Sequence, residues 1–157
     1  MKQLRLGIVG GGQLGRMLTL SAKKMGMTVT VIDPTPNSPA GQVAHHQIVG
    51  DYKDEQATRE LAKLSDVITI DAEFVNDAVL EELEKTGKSI QPTPKTIRII
   101  KDKLRQKQFL KNHNIPTAEF VEVSSIDDIE QAAKKFGYPL LLKARTDAYD
   151  GKGNFVL

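Results

Sequence analysis

The sequence feature that most restricts the fold is the glycine-rich segment GGGQLG at residues 10–15. It follows the apolar run LRLGIVG and precedes a stretch in which Leu14, Met17, Leu18 and Met25 recur at helical spacing. The segment therefore fits the G-x-G-x-x-G pattern in the strand–turn–helix context that the pattern requires. Because glycines allow a tight turn, the helix N-terminus can face an anion. Three interpretations stay open at this point: NAD binding, another phosphate-bearing ligand, or a turn with a purely structural role.

Predicted strands and helices then alternate along the chain. The strand-like runs are MTVTVID, DVITI and SIQP, and the helix-like segments are DEQATRELAKL and NDAVLEELEKTG. A proline-rich loop, PTPNSPAG, follows the second strand. Strands that alternate with helices form βαβ units, so the sequence predicts an α/β fold with a parallel sheet.

The charge composition of the chain changes near residue 95, where a basic helical stretch begins after Thr93 and Pro94. We expect this stretch to break near Asp102. A strand AEFVEV, a helix from Ser125 to Gly137, and the strands PLLLKAR and NFVL follow. The sequence thus predicts a first domain at residues 1–100 and a second segment at residues 101–157.

Composition excludes several functional classes. The net charge of +2 argues against bulk binding of nucleic acid or membrane, and the chain has no cysteine for disulfide or thiolate chemistry. No apolar run approaches the roughly 20 residues of a membrane span, and the apolar core near the N-terminus is shorter than we expect of a signal peptide. His45 and His46 are adjacent, so their side chains diverge and predict no metal site. We therefore expect a cytoplasmic protein.

Several acidic and amide side chains follow predicted strands. Asp33 ends the second strand, where an acid would meet a ribose hydroxyl if NAD were the ligand. Asp71 and Glu73 follow VITI and are two residues apart, so they share one side of an extended chain. They are candidates for ligand binding at the carboxyl ends of the strands or, alternatively, for capping the next helix. Gln13 places an amide at the mouth of the glycine loop.

The C-terminal part contains a second candidate site. Lys143 ends the apolar strand PLLL, and the segment YDGKG follows six residues later. A lysine fixed at a sheet edge suits phosphate, and glycine-bearing loops can fold N–H groups over an anion. The alternative is a simple hairpin turn at Asp150 and Gly151. Lys103, in the basic stretch, flanks the apolar face of its predicted helix rather than pointing fully outward.

Four separated motifs together resemble one enzyme family. The segments GIVGGGQLGRM, DAEFV, DKLRQKQFL and LLLKARTDAYDGKGNFV, in this order, are similar to carboxyaminoimidazole ribonucleotide synthetase, an ATP-grasp enzyme of purine biosynthesis. The resemblance implies a Rossmann-like pre-ATP-grasp domain that holds substrate and not NAD. It also implies that the first part of an ATP-grasp domain, a small α+β subdomain, follows.

The resemblance implies a function as well. Members of this family join 5-aminoimidazole ribonucleotide (AIR) to bicarbonate with magnesium-ATP, through a carboxyphosphate. The implied substrate-binding residues are Gly12, Gln13, Leu14 and Glu73. The implied ATP-binding residues are Lys103, Lys143, Ala148, Tyr149, Asp150, Gly151, Lys152, Gly153 and Asn154. No catalytic residue is assigned, and a homodimer is compatible with the resemblance.

Two departures from the family pattern matter. Asp147 and Ala148 stand where many members carry two glycines before YDG, so we expect a stiffer loop. The family also continues beyond this point with the magnesium ligands, the adenine-binding hinge and basic residues for substrate. We therefore expect a fragment, a truncated chain or a reduced protein that is inactive alone. The alternatives are a stand-alone nucleotide- or NAD-binding module without catalysis, and a fold with only a structural role.

Overall fold

The computed structural model describes residues 3–148 and 151–157 as two compact units, which divide between Arg98 and Ile99. The first unit contains a five-stranded parallel sheet in the order β3-β2-β1-β4-β5. Its strands are β1 (Arg5–Val9), β2 (Thr28–Asp33), β3 (His46–Val49), β4 (Val67–Ile70) and β5 (Ser89–Gln91). Its helices are α1 (Gln13–Lys24), α2 (Glu55–Leu64), α3 (Asp77–Lys85) and α4 (Pro94–Ile100), whose last residues belong to the second unit. The predicted α/β class is confirmed.

Two apolar clusters lie on opposite faces of this sheet. Ile8 packs with Ala22 of α1, whereas the adjacent Val9 packs with Leu61 of α2 and Leu80 of α3. Successive side chains of a strand point to opposite faces, so the sheet is covered by helices on both sides. Both faces are buried near β1 and β2, where the neighbouring pairs Ile8 and Val9, and Val31 and Ile32, are at most 1% exposed.

The face that α1 turns to the sheet differs from the one that its apolar spacing suggested. The buried residues are Gly15, Thr19 and Ala22. The larger apolar residues are between 42% and 68% exposed: Leu14, Met17, Leu18 and Met25. The reason is that α1 lies very close to the end of β1: a Cβ atom on Gly15 would lie 2.3 Å from the carbonyl oxygen of Gly10. Only small side chains fit between this helix and the strand, so the bulkier ones lie outside.

The helix ends follow the capping signals of the sequence. Asp54 accepts hydrogen bonds from Gln56 N and Ala57 N at the start of α2. Gly26, after the last residue of α1, has a φ of 79°, which is the left-handed conformation of a helix C-terminus. Strand β3 was not anticipated, because HQIV is short and lies at the sheet edge, with His46 and Val49 exposed.

The second unit contains two helices, α5 (Lys103–Asn112) and α6 (Ile126–Phe136), and an antiparallel pair, β6 (Leu141–Lys143) with β7 (Asn154–Val156). The basic stretch breaks at Asp102, as predicted, and this residue caps α5 by accepting from Leu104 N and Arg105 N. Ser125 and Asp128 form a capping box at the start of α6. The prediction of a strand at AEFVEV is wrong: residues 118–123 join neither sheet, and a strand needs a pairing partner to exist as one.

The close contact of α1 with the strand predicts that alanine lowers stability more at one glycine of this loop than at another. We expect Gly15→Ala to lower the free energy of unfolding by about 1–3 kcal/mol or more, because a backbone carbonyl cannot make room for the new methyl group. This cost exceeds the roughly 1 kcal/mol that alanine gains over glycine within a helix. Urea denaturation of the purified variant measures it.

Gly12→Ala is the matched control. Gly12 has a φ of −70°, and the nearest atom to a Cβ there is Asp71 Oδ2 at 3.8 Å. We expect its unfolding free energy to stay within about 1 kcal/mol of that of the parent chain, the cost of alanine at a helix N-cap. Equal losses for both variants would contradict the packing argument.

Two buried serines predict opposite effects of one substitution. Ser65 is 0% exposed, and its hydroxyl has no hydrogen-bond partner among the described residues. Ser38 is 1% exposed, and its hydroxyl accepts from Gly41 N at 3.1 Å. Ser65→Ala removes an unsatisfied polar group and should leave stability unchanged or raise it by up to about 1 kcal/mol, whereas Ser38→Ala should cost about 1–3 kcal/mol. Thermal unfolding of both variants tests the contrast, and a loss at Ser65 as large as that at Ser38 would refute it.

Candidate functional site

The first candidate site is the glycine loop at the carboxyl end of β1. The chain turns at Gly10, whose φ of 115° is open to glycine and strained for other residues. Gly10 N donates to Ile32 O at 3.0 Å, and Gly11 N donates to Asp33 Oδ2 at 2.9 Å. A Cβ atom on Gly11 would lie 2.4 Å from Ser38 Oγ, so the first two glycines are required by close packing.

Asp33 is part of the loop's support rather than an open ligand group. Its carboxylate is only 5% exposed, and it accepts from Thr35 N at 2.8 Å as well as from Gly11 N. The hydroxyl of Tyr52 donates to the same Oδ2 atom at 2.8 Å. Because these donors occupy the carboxylate, it is not placed to hydrogen-bond a ribose as the acid of an NAD site does.

Asp71 supports the other end of the loop. Its Oδ2 atom accepts from Gly15 N at 3.1 Å, so it caps α1 and not α3, which Asn76 caps. Burial raises the pKa of Asp71, the hydrogen bond from Gly15 N lowers it, and the charges of Glu73 and Asp33 raise it. The net effect is a raised pKa for Asp71, with burial as its largest cause.

The predicted substrate residues lie between and beside these two anchors. Gln13 and Leu14 are exposed on the first turn of α1, and Gly12 is partly exposed, within reach of Asp71. Glu73 is partly buried and close enough to Asp71 to affect its pKa. The structure therefore brings Gly12, Asp71 and Glu73 to one edge of the sheet, and the loop between Gly11 and Gly15 presents its side chains outward.

The second candidate site is the loop between β6 and β7. Lys103 Nζ donates to Ala148 O at 2.7 Å, and Lys103 N donates to Arg145 O at 2.9 Å. Ala148 is 8% exposed. The first residue of α5 is thus bound to this loop through both its backbone and its side chain.

Lys143 and Asn154 lie opposite each other in the β6–β7 pair, and both are exposed. Gly151 and Gly153 have φ values of 79° and 76°, and Ala144 N donates to Gly153 O at 2.8 Å. Strands β6 and β7 are therefore antiparallel neighbours, while the predicted turn at Asp150 and Gly151 lies partly outside the described residues. Lys152, between these strands, is exposed. The predicted ATP-binding residues Tyr149 and Asp150 lie outside the described residues.

The structure gives a physical reason for one departure from the family pattern. Asp147 has a φ of 54°, in the left-handed region. Glycine adopts this conformation freely, and aspartate is one of the few other residues that adopt it with modest strain. Asp147 can therefore occupy a position where many family members have glycine.

A largely apolar cavity of about 530 Å³ lies within the second unit. It is lined by side chains of α5, residues 118–123, α6 and β6, and three lysines border it: Lys103, Lys107 and Lys143. Arg145, also at this cavity, donates to Asp102 Oδ2 and to Glu122 Oε1, each at 2.8 Å. Burial raises the pKa of Asp102, but hydrogen bonds from Arg105 N and Arg145 outweigh it and hold that pKa below its usual value.

Two residues at these sites escaped the sequence analysis. Tyr52 lies in a turn before α2, 19 residues from the Asp33 that it contacts. Arg145 lies 43 residues from Asp102. Tyr52 lies in none of the quoted motifs, and Arg145 lies within LLLKARTDAYDGKGNFV but no pattern there pairs it with Asp102. Within residues 3–148 and 151–157, no group of three or more His, Cys, Asp or Glu side chains could hold a metal ion, and no helix could span a membrane.

Two family profiles match the chain. The ribonucleotide synthetase preATP-grasp domain matches residues 1–101, and the ATP-grasp domain matches residues 108–157. Phosphoribosylaminoimidazole carboxylase of Ogataea methanolica is 41% identical over 161 aligned residues that include 100% of this chain.

Solved structures agree with these matches. N5-carboxyaminoimidazole ribonucleotide synthetase of Thermotoga maritima is 45% identical and superposes with a TM-score of 0.87 over 98% of this chain. N5-carboxyaminoimidazole synthase of Aspergillus clavatus, in complex with ADP and 5-aminoimidazole ribonucleotide, is 37% identical, with a TM-score of 0.86 over 98% of this chain.

The chain spans only part of each of these relatives: 30% of the Ogataea protein, 41% of the Thermotoga chain and 40% of the Aspergillus chain. The two profile matches, at residues 1–101 and 108–157, include the glycine loop and the lysine-bearing loop. The chain belongs to the ribonucleotide synthetase preATP-grasp family, and its relatives are the N5-carboxyaminoimidazole ribonucleotide synthetases.

Proposed function

We propose that this chain provides the ribonucleotide-binding domain and the first ATP-binding elements for the ATP- and bicarbonate-dependent carboxylation of AIR. In this reaction, bicarbonate takes the γ-phosphoryl group of ATP and ADP leaves. The exocyclic amine of AIR then attacks the carboxyl carbon of carboxyphosphate, and inorganic phosphate leaves as the carbamate forms. The full reaction belongs to the longer relatives, and we expect this chain alone to bind ligand without completing it.

The glycine loop is the observation that carries this proposal. Its amides at Gly11 and Gly15 are bound to protein carboxylates, so they are not available to a dinucleotide pyrophosphate. Gln13 and Leu14 remain exposed between these anchors, and Glu73 lies at the same sheet edge as Asp71. An amide and a carboxylate can hydrogen-bond the hydroxyl and amine groups of a ribonucleotide. The relative from Aspergillus clavatus was solved with AIR and ADP, which supports this assignment.

The second unit supports the ATP-binding part of the proposal. Lys103 and Lys143 are cations beside a loop with two glycines at positive φ, a combination suited to phosphate. We propose that both lysines, with residues 148–154, contact the phosphates of ATP. Mg²⁺ would arrive with those phosphates, where it offsets negative charge during phosphoryl transfer. This division also makes residues 1–100 the substrate domain and residues 101–157 the start of the ATP-grasp domain.

Two further elements belong to this proposal. We place the reaction in the cytoplasm, where ATP and bicarbonate are available. We also propose that the protein is a homodimer, supported by the exposed apolar residues Met17 and Leu18 on α1 and Met25 at its C-cap. Light scattering of the purified protein during gel filtration would establish its mass.

Binding of AIR is the direct test of the substrate assignment. In calorimetric titrations we expect this chain to bind AIR and to give no heat with NADH. Glu73→Ala should weaken AIR binding by about tenfold to a hundredfold, because a charged hydrogen bond contributes about 1.5–3 kcal/mol. Gln13→Ala should weaken it by a smaller factor.

Glu84→Ala is the control for charge, since Glu84 is exposed on α3. It should bind AIR like the parent chain. Binding of NADH without AIR would overturn the purine assignment and favour a dinucleotide module. If the parent chain binds AIR but both Glu73→Ala and Gln13→Ala bind it equally well, the site is elsewhere.

Lys103→Met tests the ATP-binding assignment. The substitution keeps the aliphatic stem and removes the ammonium group that reaches Ala148 O. We expect affinity for ADP, measured by NMR titration at high ligand concentration, to fall about tenfold, the effect of losing one charge-assisted contact of about 1.4 kcal/mol. Lys111→Met, an exposed lysine at the end of the same helix, should not change it. Equal ADP affinity in Lys103→Met and the parent chain would refute the role.

A further inference from the structure

Tyr52 connects a turn that follows β3 to the glycine loop that follows β1. Its ring is partly buried and packs against the apolar cluster that contains Val9, Ile32 and Leu61. The ring fixes the position of the hydroxyl, which donates to Asp33 Oδ2 at 2.8 Å. Tyr52 therefore reaches the loop through the carboxylate of Asp33.

Three hydrogen bonds orient the carboxylate of Asp33. Asp33 Oδ2 receives the Tyr52 hydroxyl and Gly11 N, while Oδ1 receives Thr35 N at 2.8 Å. Thr35 N comes from the chain directly after Asp33 and thus moves with it. The Tyr52 hydroxyl comes from a separate segment, so it adds a contact from outside β2 to the Oδ2 atom that receives Gly11 N. Gly11 is held on its other side by Ala40 N, which donates to Gly11 O at 2.8 Å.

The hydroxyl remains a donor across the physiological range. Burial raises the pKa of Tyr52, and the hydrogen bond to Asp33 and the charges of Asp33, Asp71 and Asp51 raise it further. A tyrosine that stays protonated beside a carboxylate always donates to it, so the geometry of this contact does not reverse.

We propose that Tyr52 is a positioning residue for ligand binding: its hydroxyl, acting through Asp33, holds Gly11 so that Gly12, Gln13 and Leu14 are presented in one conformation. The inference rests on the proposed function, because it assigns AIR to those residues. Preorganised binding loops lose less conformational entropy when the ligand arrives, so a loosened loop binds more weakly without losing any direct contact.

Tyr52→Phe tests the proposal, since it keeps the ring and removes only the hydroxyl. We expect the affinity for AIR to fall about threefold to tenfold, which corresponds to one hydrogen bond of about 0.5–1.5 kcal/mol. We also expect the Gly11 amide to exchange with deuterium faster in the ligand-free protein, while the amides of Val31 and Ile68 in the central strands exchange as before. Tyr138→Phe is the matched control, because Tyr138 is exposed and should change neither measurement.

The outcomes separate the two proposals. If the parent chain does not bind AIR, the proposed function fails, and Gly11 exchange in the ligand-free protein still tests the role of Tyr52 in holding the loop. If the parent chain binds AIR and Tyr52→Phe binds it equally well, the positioning role is wrong. Faster exchange throughout the sheet, with no selective effect at Gly11, would also overturn it, since that result marks a general loss of stability.

A second variant tests whether Tyr52 acts through Asp33. In an Asp33→Ala background, no side-chain oxygen remains to accept from the hydroxyl, so adding Tyr52→Phe should not weaken AIR binding further. Additive losses would show that Tyr52 acts by another route. Should Asp33→Ala fail to fold, the selective exchange at Gly11 in Tyr52→Phe alone decides the question.

Discussion

The first unit depends on one buried carboxylate. Asp33 ends β2 and accepts from the backbone of the loop that ends β1, so it joins two neighbouring parallel strands at their carboxyl ends. A buried charge is costly unless it is hydrogen-bonded, and here three donors supply that compensation. The consequence is functional as well as structural. An acid that an NAD-binding protein would direct at a ribose is used here to hold the loop.

The glycine loop is therefore held at both ends and open in the middle. Asp33 and Asp71 bind the amides of Gly11 and Gly15, and the close contact between Gly15 and Gly10 sets the distance between helix and strand. Residues 12–14 have side chains or backbone free for a ligand. This arrangement explains how a G-x-G-x-x-G pattern can serve a ligand other than a dinucleotide: the glycines satisfy steric needs of the fold, and the anion-binding amides are partly occupied by protein carboxylates.

The second unit depends on a similar use of charge. Asp102 caps α5 and accepts from Arg145 after β6, while Lys103 binds Ala148 O in the following loop. The break in the basic stretch therefore does more than end a helix, because it directs Asp102 and Lys103 toward the segment between β6 and β7. A helix that continued through Asp102 would direct these side chains differently, because neighbours in a helix point about 100° apart.

Structural features that depend on residues close together in the chain could be predicted from the sequence. The glycine loop, the break near Asp102, the cap at Ser125, the alternation of strands and helices and the resemblance to the synthetase family all rest on short, contiguous patterns. Strand β3 and the irregular path of residues 118–123 could not be predicted, because whether an extended segment becomes a strand depends on a partner far away in sequence. The buried face of α1 was mispredicted for the same kind of reason: apolar spacing ignores how closely Gly15 must approach Gly10.

The sequence alone determined the fold class, the family and the segments that carry the ligand-binding candidates, because these follow from residue types at fixed spacing. Only the tertiary structure decided which of the candidate site side chains are already hydrogen-bonded within the protein. It committed Asp33 and Asp71 to backbone amides, attached Lys103 to the carbonyl of Ala148, and assigned a role to Tyr52, which no motif marks. Hydrogen bonds between residues 19 to 56 positions apart make these assignments, and such pairings exist only once the chain has folded.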